Sequence, residues 1–117
     1  MSRDLEHLEQ KALFQWATVK GGKLLLLYAI PNGGHRHKAV AAKLKAEGVR
    51  AGVPDMCLPV ARKGYHALYI ELKAGKNKPT QSQKVWLEAL EREGNKAVCC
   101  TGWLEAKAII EDYLRED

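Results

Sequence analysis

The chain has 117 residues, of which 46% are hydrophobic, and this is enough for one domain with a buried core. No apolar run approaches the roughly 20 residues that a membrane-spanning helix needs. The first ten residues, MSRDLEHLEQ, lack the apolar segment of a signal peptide. We therefore expect a single cytoplasmic domain over residues 1–117, with no membrane partner.

Charge and cysteine usage limit the classes of partner. Residues 1–84 contain 15 Lys and Arg against 6 Asp and Glu, a net charge of +9, whereas residues 85–117 contain 4 against 8, a net charge of −4. A basic excess of this size favours a polyanion partner, most simply nucleic acid. The three cysteines form no CxxC pair, so they predict buried reduced thiols rather than a zinc site.

The first half of the chain predicts a helix, a strand and a second helix. In residues 3–20 apolar side chains recur at helical spacing, and the glycines at 21–22 end the pattern. The run KLLLLYAI at 23–30 is continuously apolar and predicts a buried strand. Residues 35–48 are rich in Ala and Lys and predict a helix that closes at Gly48.

The second half predicts a hairpin, a helix, a strand and a final helix. Residues 55–60 and 66–72 read as short strands around a turn, and residues 96–100 read as another strand. The helix at 80–94 opens with Thr80 three residues before Gln83, the spacing of a capping box. An amphipathic helix at 102–116 closes the chain. The order αβαββαβα predicts an α/β fold with a mixed central sheet of about four strands flanked by helices.

Two acids and a lysine interrupt the apolar hairpin strands. Asp55 begins one strand and Glu71 lies near the end of the next, so a hairpin would bring both carboxylates to the same end of the sheet. Two adjacent carboxylates repel unless a proton or cation lies between them, and a hard cation such as Mg²⁺ relieves the repulsion. Lys73 is two residues after Glu71 and points to the same face of the strand. This set of groups suits hydrolysis of a phosphodiester.

These residues also carry a resemblance to a known family. GVPD at 52–55 followed by IELK at 70–73 resembles the PD-(D/E)xK nuclease signature, and the surrounding sequence resembles its stand-alone virus-type replication–repair nuclease (VRR-NUC) branch. The matching segments cover nearly the whole chain in the expected order: EHLEQ (6–10), AIPNGGHRHKA (29–39), LKAEGVRAGVPD (44–55), GYHALYIELK (64–73) and QKVWL (83–87).

The resemblance implies a restriction-endonuclease-like core and specific roles for the hairpin residues. Asp55 and Glu71 would bind Mg²⁺ or Mn²⁺ together with the backbone carbonyl of Leu72, and Lys73 would be the catalytic lysine. For Asp55 alone, a strand-end aspartate in a turn after proline is the competing structural interpretation.

Three further residues are candidates for the catalytic set. A glutamate of the first helix usually completes such sites, and two compete here. Glu6 matches the family spacing to Gln10, whereas Glu9 lies closer to the centre of the apolar stripe of the helix, which favours it slightly. Gln83 matches a family glutamine, but its place in a capping box is also a complete structural explanation.

Several basic and polar residues are candidates for contacts with DNA. The segment NGGHR either forms a simple tight turn or lines the cleft beside the metal. The lysines that follow it and those that follow Lys73 belong either to solvated surfaces or to a track along a DNA backbone. On the nuclease interpretation the DNA-contacting set is Asn32, His35, Arg36, Lys38, Lys76 and Lys78.

The sequence therefore predicts a Mg²⁺- or Mn²⁺-dependent DNA endonuclease. The resemblance further implies selectivity for branched DNA such as Holliday junctions, and a role in phage or bacterial replication, repair or recombination. Because a symmetric junction is cut on two strands and one chain has one site, we expect a homodimer. Two alternatives remain: a non-catalytic DNA-binding module of the same fold, and a nuclease that acts on linear duplex or RNA.

Overall fold

The computed structural model describes residues 2–31 and 37–116, with side chains described from residue 5 onward. It contains four α-helices and four β-strands in the order that the sequence predicts. The helices are α1 (Ser2–Lys20), α2 (Lys38–Ala46), α3 (Gln81–Arg92) and α4 (Trp103–Leu114), and the strands are β1 (Tyr28–Ala29), β2 (Met56–Leu58), β3 (Leu68–Lys73) and β4 (Lys96–Thr101).

The four strands form one mixed sheet in the order β1-β2-β3-β4. β1 and β2 pair antiparallel, as do β2 and β3, which form the predicted hairpin. β3 and β4 pair parallel, with α3 as the crossover between them. The prediction of a mixed four-stranded sheet is therefore confirmed.

The predicted strand at 23–30 is wrong for most of its length. Residues Gly22–Leu26 form a 3₁₀ helix, and only Tyr28–Ala29 pair as a strand. Leu24 and Leu27 are buried while Leu25 and Leu26 are exposed. This three-residue spacing of buried leucines suits a helical turn packed on α1, so tertiary packing overrides the strand-like composition.

The helix ends follow local sequence signals. Thr80 caps α3 by accepting a hydrogen bond from the Gln83 backbone, and the Gln83 side chain accepts one from the Thr80 backbone, which confirms the capping box. His37 caps α2 through its ring nitrogen Nδ1. The second helix therefore begins at residue 38, while residues 35 and 36 of the predicted helix lie outside the described residues.

The two faces of the sheet have different chemistry. On the core face, alternate residues of β2, β3 and β4 pack against α1 and α4 around Leu13, Ile110 and Tyr113. The opposite face, which we call the polar face, is defined by Asp55, Cys57, Tyr69, Glu71 and Lys73. Side chains alternate between faces along a strand, so this division follows directly from the sequence of β3.

The polar face is covered unevenly. α3 packs against β4, which covers the half of the sheet nearest β4. α2 contains no buried residue and lies at the periphery. No helix in the part of the chain that the structure describes is long and apolar enough to cross a membrane.

Candidate active site

The hairpin brings Asp55 and Glu71 opposite each other. Met56 pairs with Ile70, so one further step along the antiparallel register places Asp55 across from Glu71. The backbone N–H of Leu72 donates to Asp55 Oδ2 over 2.7 Å, which fixes the carboxylate beside β3. The two acids therefore meet at one end of the sheet, as the hairpin prediction required.

The loop before Asp55 is held by a close contact between Gly52 and the first turn of α3. Gly52 has a φ of +90°, and a Cβ there would lie 3.0 Å from the backbone carbon and oxygen of Ser82. Only glycine combines this backbone conformation with so close an approach at low cost. The loop that leads through Pro54 into Asp55 is thereby held against the first turn of α3.

Glu71 and Lys73 are both buried at this end of β3. Their side chains lie on the polar face, with Lys73 Nζ 3.6 Å from Glu71 Oε2. Glu71 is 2% exposed and Lys73 is 7% exposed. The same carboxylate oxygen accepts a hydrogen bond from Gln83 Nε2 at 3.1 Å. Gln83 thus caps α3 through one amide atom and contacts the acid through the other, so the capping-box interpretation is confirmed and the catalytic one stays a prediction.

The electrostatics of the carboxylate pair favour a positive species between them. Burial, followed by the charge of Asp55 and hydrogen bonding with it, raises the pKa of Glu71 to about 8. Burial also raises the pKa of Asp55, while the Leu72 N–H, Glu71 and Lys73 lower it. Burial is the largest cause for both acids, and the charge of Asp55 adds to it for Glu71, so Glu71 favours its protonated form unless a cation replaces the proton.

One oxygen of the pair marks a place for such a cation. Glu71 Oε1 is buried and has no hydrogen-bond partner within the described residues. A buried carboxylate oxygen without a donor is costly, and its neighbour across the strands is another carboxyl group. Within residues 2–31 and 37–116, no group of three or more His, Cys, Asp or Glu side chains is arranged to hold a metal ion. The donors available for a hard cation are thus two carboxylates, backbone carbonyls and water, a set that Mg²⁺ accepts.

The two candidate glutamates of α1 have different surroundings. Glu9 Oε1 accepts a hydrogen bond from the backbone N–H of Trp103 at 2.7 Å, at the first residue of α4. The cap residue of α4, Gly102, makes no side-chain cap bond, so Glu9 supplies the missing acceptor. Glu6 lies near enough to the carboxylate pair that its negative charge contributes to the raised pKa of both Asp55 and Glu71.

Sequence reasoning missed the partner of Glu6. Asn77 Nδ2 donates to Glu6 Oε2 at 2.9 Å and so ties the loop after β3 to α1. The one available signal was an asparagine between Lys76 and Lys78, a polar uncharged residue within a run of cations. Sequence reasoning also missed the link between Gly102 N and the carbonyl oxygen of Lys73, 2.8 Å apart, which joins the start of α4 to the end of β3.

The predicted DNA-contacting residues divide into two groups. Lys76 and Lys78 are exposed in the loop after β3, and Lys38 is exposed as the first residue of α2. The other three predicted positions, Asn32, His35 and Arg36, lie outside the described residues.

The mixed sheet, its flanking helices and the acid–acid–lysine set at the ends of β2 and β3 place this chain in the class of α/β proteins with a restriction-endonuclease-like fold. A family model described as the VRR-NUC domain matches residues 2–103, and the chain belongs to this family. A solved structure described as a VRR_NUC domain protein is similar to it, with a TM-score of 0.81 and 31% sequence identity over 94% of this chain and 88% of that chain. A search of curated proteins found no match.

Proposed function

We propose that this nuclease-family protein is a metal-dependent DNA endonuclease that hydrolyses phosphodiester bonds in branched DNA. The observation that carries the proposal is the pairing of Asp55 and Glu71 across two strands beside the buried Lys73. Placing three charged groups at one strand end, with Glu71 and Lys73 buried and Asp55 half-buried, costs stability. A function that requires them together explains why the fold retains them.

Asp55 and Glu71 would hold the divalent cation, Mg²⁺ or Mn²⁺, with the backbone carbonyl of Leu72. When bound, such an ion lowers the pKa of water and stabilises negative charge on phosphate oxygens. The unpartnered Oε1 of Glu71 supports this assignment because a cation would satisfy it. The Leu72 N–H and the Gln83 amide hold one oxygen of each carboxylate in place.

Lys73 and Glu6 complete the proposed site. The ammonium of Lys73 is held 3.6 Å from Glu71, where it would neutralise charge on the phosphate or orient the attacking water. We assign the helix acid to Glu6, which lies near both carboxylates, because Glu9 is engaged by the N-terminus of α4. Glu6 would act through water, consistent with the lack of a three-acid cluster among the described residues.

The proposed substrate is branched DNA, recognised by shape. The exposed lysines beside the site favour contacts with a phosphate backbone, which carry no sequence information. Because a symmetric junction needs two cuts, we propose that two copies of the chain act together as a C₂ dimer.

The substrate test incubates the purified protein with labelled four-way junction, flap, linear duplex, single-stranded DNA and RNA, each with Mg²⁺, Mn²⁺ or EDTA. The proposal predicts cleavage of the branched substrates in either metal and none in EDTA. Preferential cleavage of linear duplex or RNA would refute the branched-DNA assignment. Binding without cleavage in any metal would identify a non-catalytic DNA-binding module instead.

Single substitutions assign the site within the same assay. Asp55→Asn removes a proposed metal ligand, and Lys73→Ala removes the proposed catalytic ammonium group. Each is expected to lower the cleavage rate at least a hundredfold. The matched control is Lys63→Ala, which changes a lysine in the hairpin turn at the opposite end of β2 and β3. Wild-type rates for both Asp55→Asn and Lys73→Ala would show that the assigned site is wrong.

A further inference from the structure

Two tyrosines share the polar face with the proposed catalytic groups. Tyr28 on β1 pairs with Cys57 on β2, which in turn pairs with Tyr69 on β3. Tyr69 is two residues before Glu71, so both side chains point to the same face. Tyr28, Cys57 and Tyr69 therefore form a row across three strands, directly beside the row that contains Asp55 and Glu71. We call this row the tyrosine row.

The tyrosine row is uncharged, and it is open to solvent at Tyr28, on the edge strand β1. Tyr28 is 49% exposed and Tyr69 is half-buried, while Cys57 between them is 2% exposed. Hydrogen bonding with Cys57, and then burial, raises the pKa of the Tyr28 phenol, and burial with the nearby thiol raises that of Tyr69. The cross-strand pairing places Tyr28 and Tyr69 on either side of Cys57, with both side chains on the polar face.

Shielding of the buried Cys57 does not require that Tyr28 stay 49% exposed. The core lies on the opposite face of the sheet, and α3 packs against β4 rather than over Tyr28. The next row carries Asp55 and Glu71, and Lys73 lies one row further along β3, a set suited to a phosphodiester. The neighbouring surface would then meet the sugar and base of an adjacent nucleotide. Aromatic side chains bind nucleobases by stacking, independently of base identity, because every base has a π face.

We propose that Tyr28 and Tyr69 form a stacking surface for an unpaired nucleobase next to the phosphodiester that is cut. This inference rests on the proposed function and names the substrate feature that the site selects. In continuous duplex DNA the bases are stacked on each other and unavailable, whereas a base left unpaired at a branch point costs little to place on a protein surface. The protein would then select branched DNA through a contact next to the cut phosphodiester, without hydrogen bonds to the edges of the bases.

The test measures base stacking directly, apart from cleavage. A branched DNA carries the fluorescent base 2-aminopurine as an unpaired nucleotide at the branch point, and its emission is followed on adding the protein in EDTA. Stacking on an aromatic ring quenches this emission. Wild type and Tyr69→Phe, which keeps the ring, should quench it, whereas Tyr69→Leu, which keeps only apolar volume, should not. Junction affinity should fall roughly fivefold or more in Tyr69→Leu, the loss expected for a stacked base.

Two comparisons keep the result specific. Tyr28→Leu alters an exposed position, so it retains the fold and decides the question if Tyr69→Leu does not fold. Affinity for continuous duplex should be unchanged in both leucine variants, because duplex offers no free base. Equal losses on duplex and junction, or full quenching by a folded leucine variant, would overturn the stacking proposal. A wild type that quenches but never cuts would instead contradict the proposed nuclease function and leave the stacking result standing.

Discussion

Gln83 and Glu71 are joined by a hydrogen bond of 3.1 Å between the amide Nε2 and the carboxylate Oε2. The other amide atom, Oε1, accepts a hydrogen bond from the backbone N–H of Thr80 at 2.8 Å. One side chain therefore couples the start of α3 to the acid at the end of β3. The helix cap sets the position of the amide, and the amide sets the position of the carboxylate.

This coupling predicts that Gln83→Glu folds but cleaves DNA more slowly. Glutamate at this position still accepts from the Thr80 backbone and keeps the capping box. It cannot donate to Glu71 and adds a negative charge beside two acids, so cleavage should fall at least tenfold. The matched control is Thr80→Ala, which loses the side-chain cap and about 1 kcal/mol of stability. Its cleavage rate should stay within a fewfold of wild type. Similar losses of activity in both variants would mean that Gln83 acts only through the helix.

The two glutamates of α1 should respond differently to substitution. Glu6→Gln is expected to lower cleavage at least tenfold with little change in melting temperature, because it removes a charge near the carboxylate pair. Glu9→Ala is expected to cost about 1 kcal/mol of stability, because it removes the acceptor for the Trp103 N–H. Glu9→Gln restores an acceptor and should recover that stability. A folded Glu9→Gln without activity, beside an active Glu6→Gln, would reverse the assignment.

Gly52 should tolerate substitution worse than a glycine of the same conformation elsewhere. Gly52→Ala combines a strained φ of +90° with a contact of 3.0 Å to the Ser82 backbone. Gly64 has a φ of +86° with no atom within 4 Å of the added Cβ, so Gly64→Ala reports the conformational strain alone. That strain is about 1–2 kcal/mol. Chemical denaturation should show a larger loss for Gly52→Ala, and only this variant should also lose cleavage activity. Equal losses of stability in the two variants would show that the contact between residue 52 and Ser82 adds no cost.

The metal-free protein should become less stable as the pH rises from 4.5 to 8. The folded protein raises the pKa of Glu71 from its ordinary 4.5 to about 8, so it favours the protonated acid more than the unfolded chain does. The resulting stabilisation is complete below pH 4.5 and is lost as the pH rises through 8. We expect a loss of several kcal/mol from this group in EDTA, because the folded protein holds its proton over this whole pH range and the unfolded chain does not. Glu71→Gln does not titrate, so its free energy of unfolding should not show this decrease with pH. The same decrease in Glu71→Gln would mean that other groups cause it.

Much of the fold follows from local sequence signals. The capping box at Thr80, the hairpin around residues 62–64 and the period of the helices each have a short-range cause that the structure reproduces. The structure of the apolar run at 23–30 does not follow from local signals, because continuous leucines suit a strand and a helical turn equally. Contact with α1 decides between them, and that contact is not readable from the segment itself.

The candidate site was predictable along β2 and β3 and unpredictable between helices. Antiparallel pairing makes the meeting of Asp55 and Glu71 a consequence of hairpin register. The bonds from Asn77 to Glu6 and from Trp103 to Glu9 span 71 and 94 residues and depend on how α1 packs. A stripe of apolar residues predicts which helix face is buried, but it does not predict which backbone group a carboxylate on that face will meet.

Binding of Mn²⁺ to the DNA-free protein, counted by electron paramagnetic resonance, tests most directly whether the paired acids form a metal site. The wild type should bind one tightly held ion per chain, and Asp55→Asn and Glu71→Gln should each lose it. Lys73→Ala should keep it, because on the proposed assignment the lysine would contact phosphate or water rather than the ion. A wild type that binds no Mn²⁺, or a Glu71→Gln variant that binds it as tightly, would contradict the account.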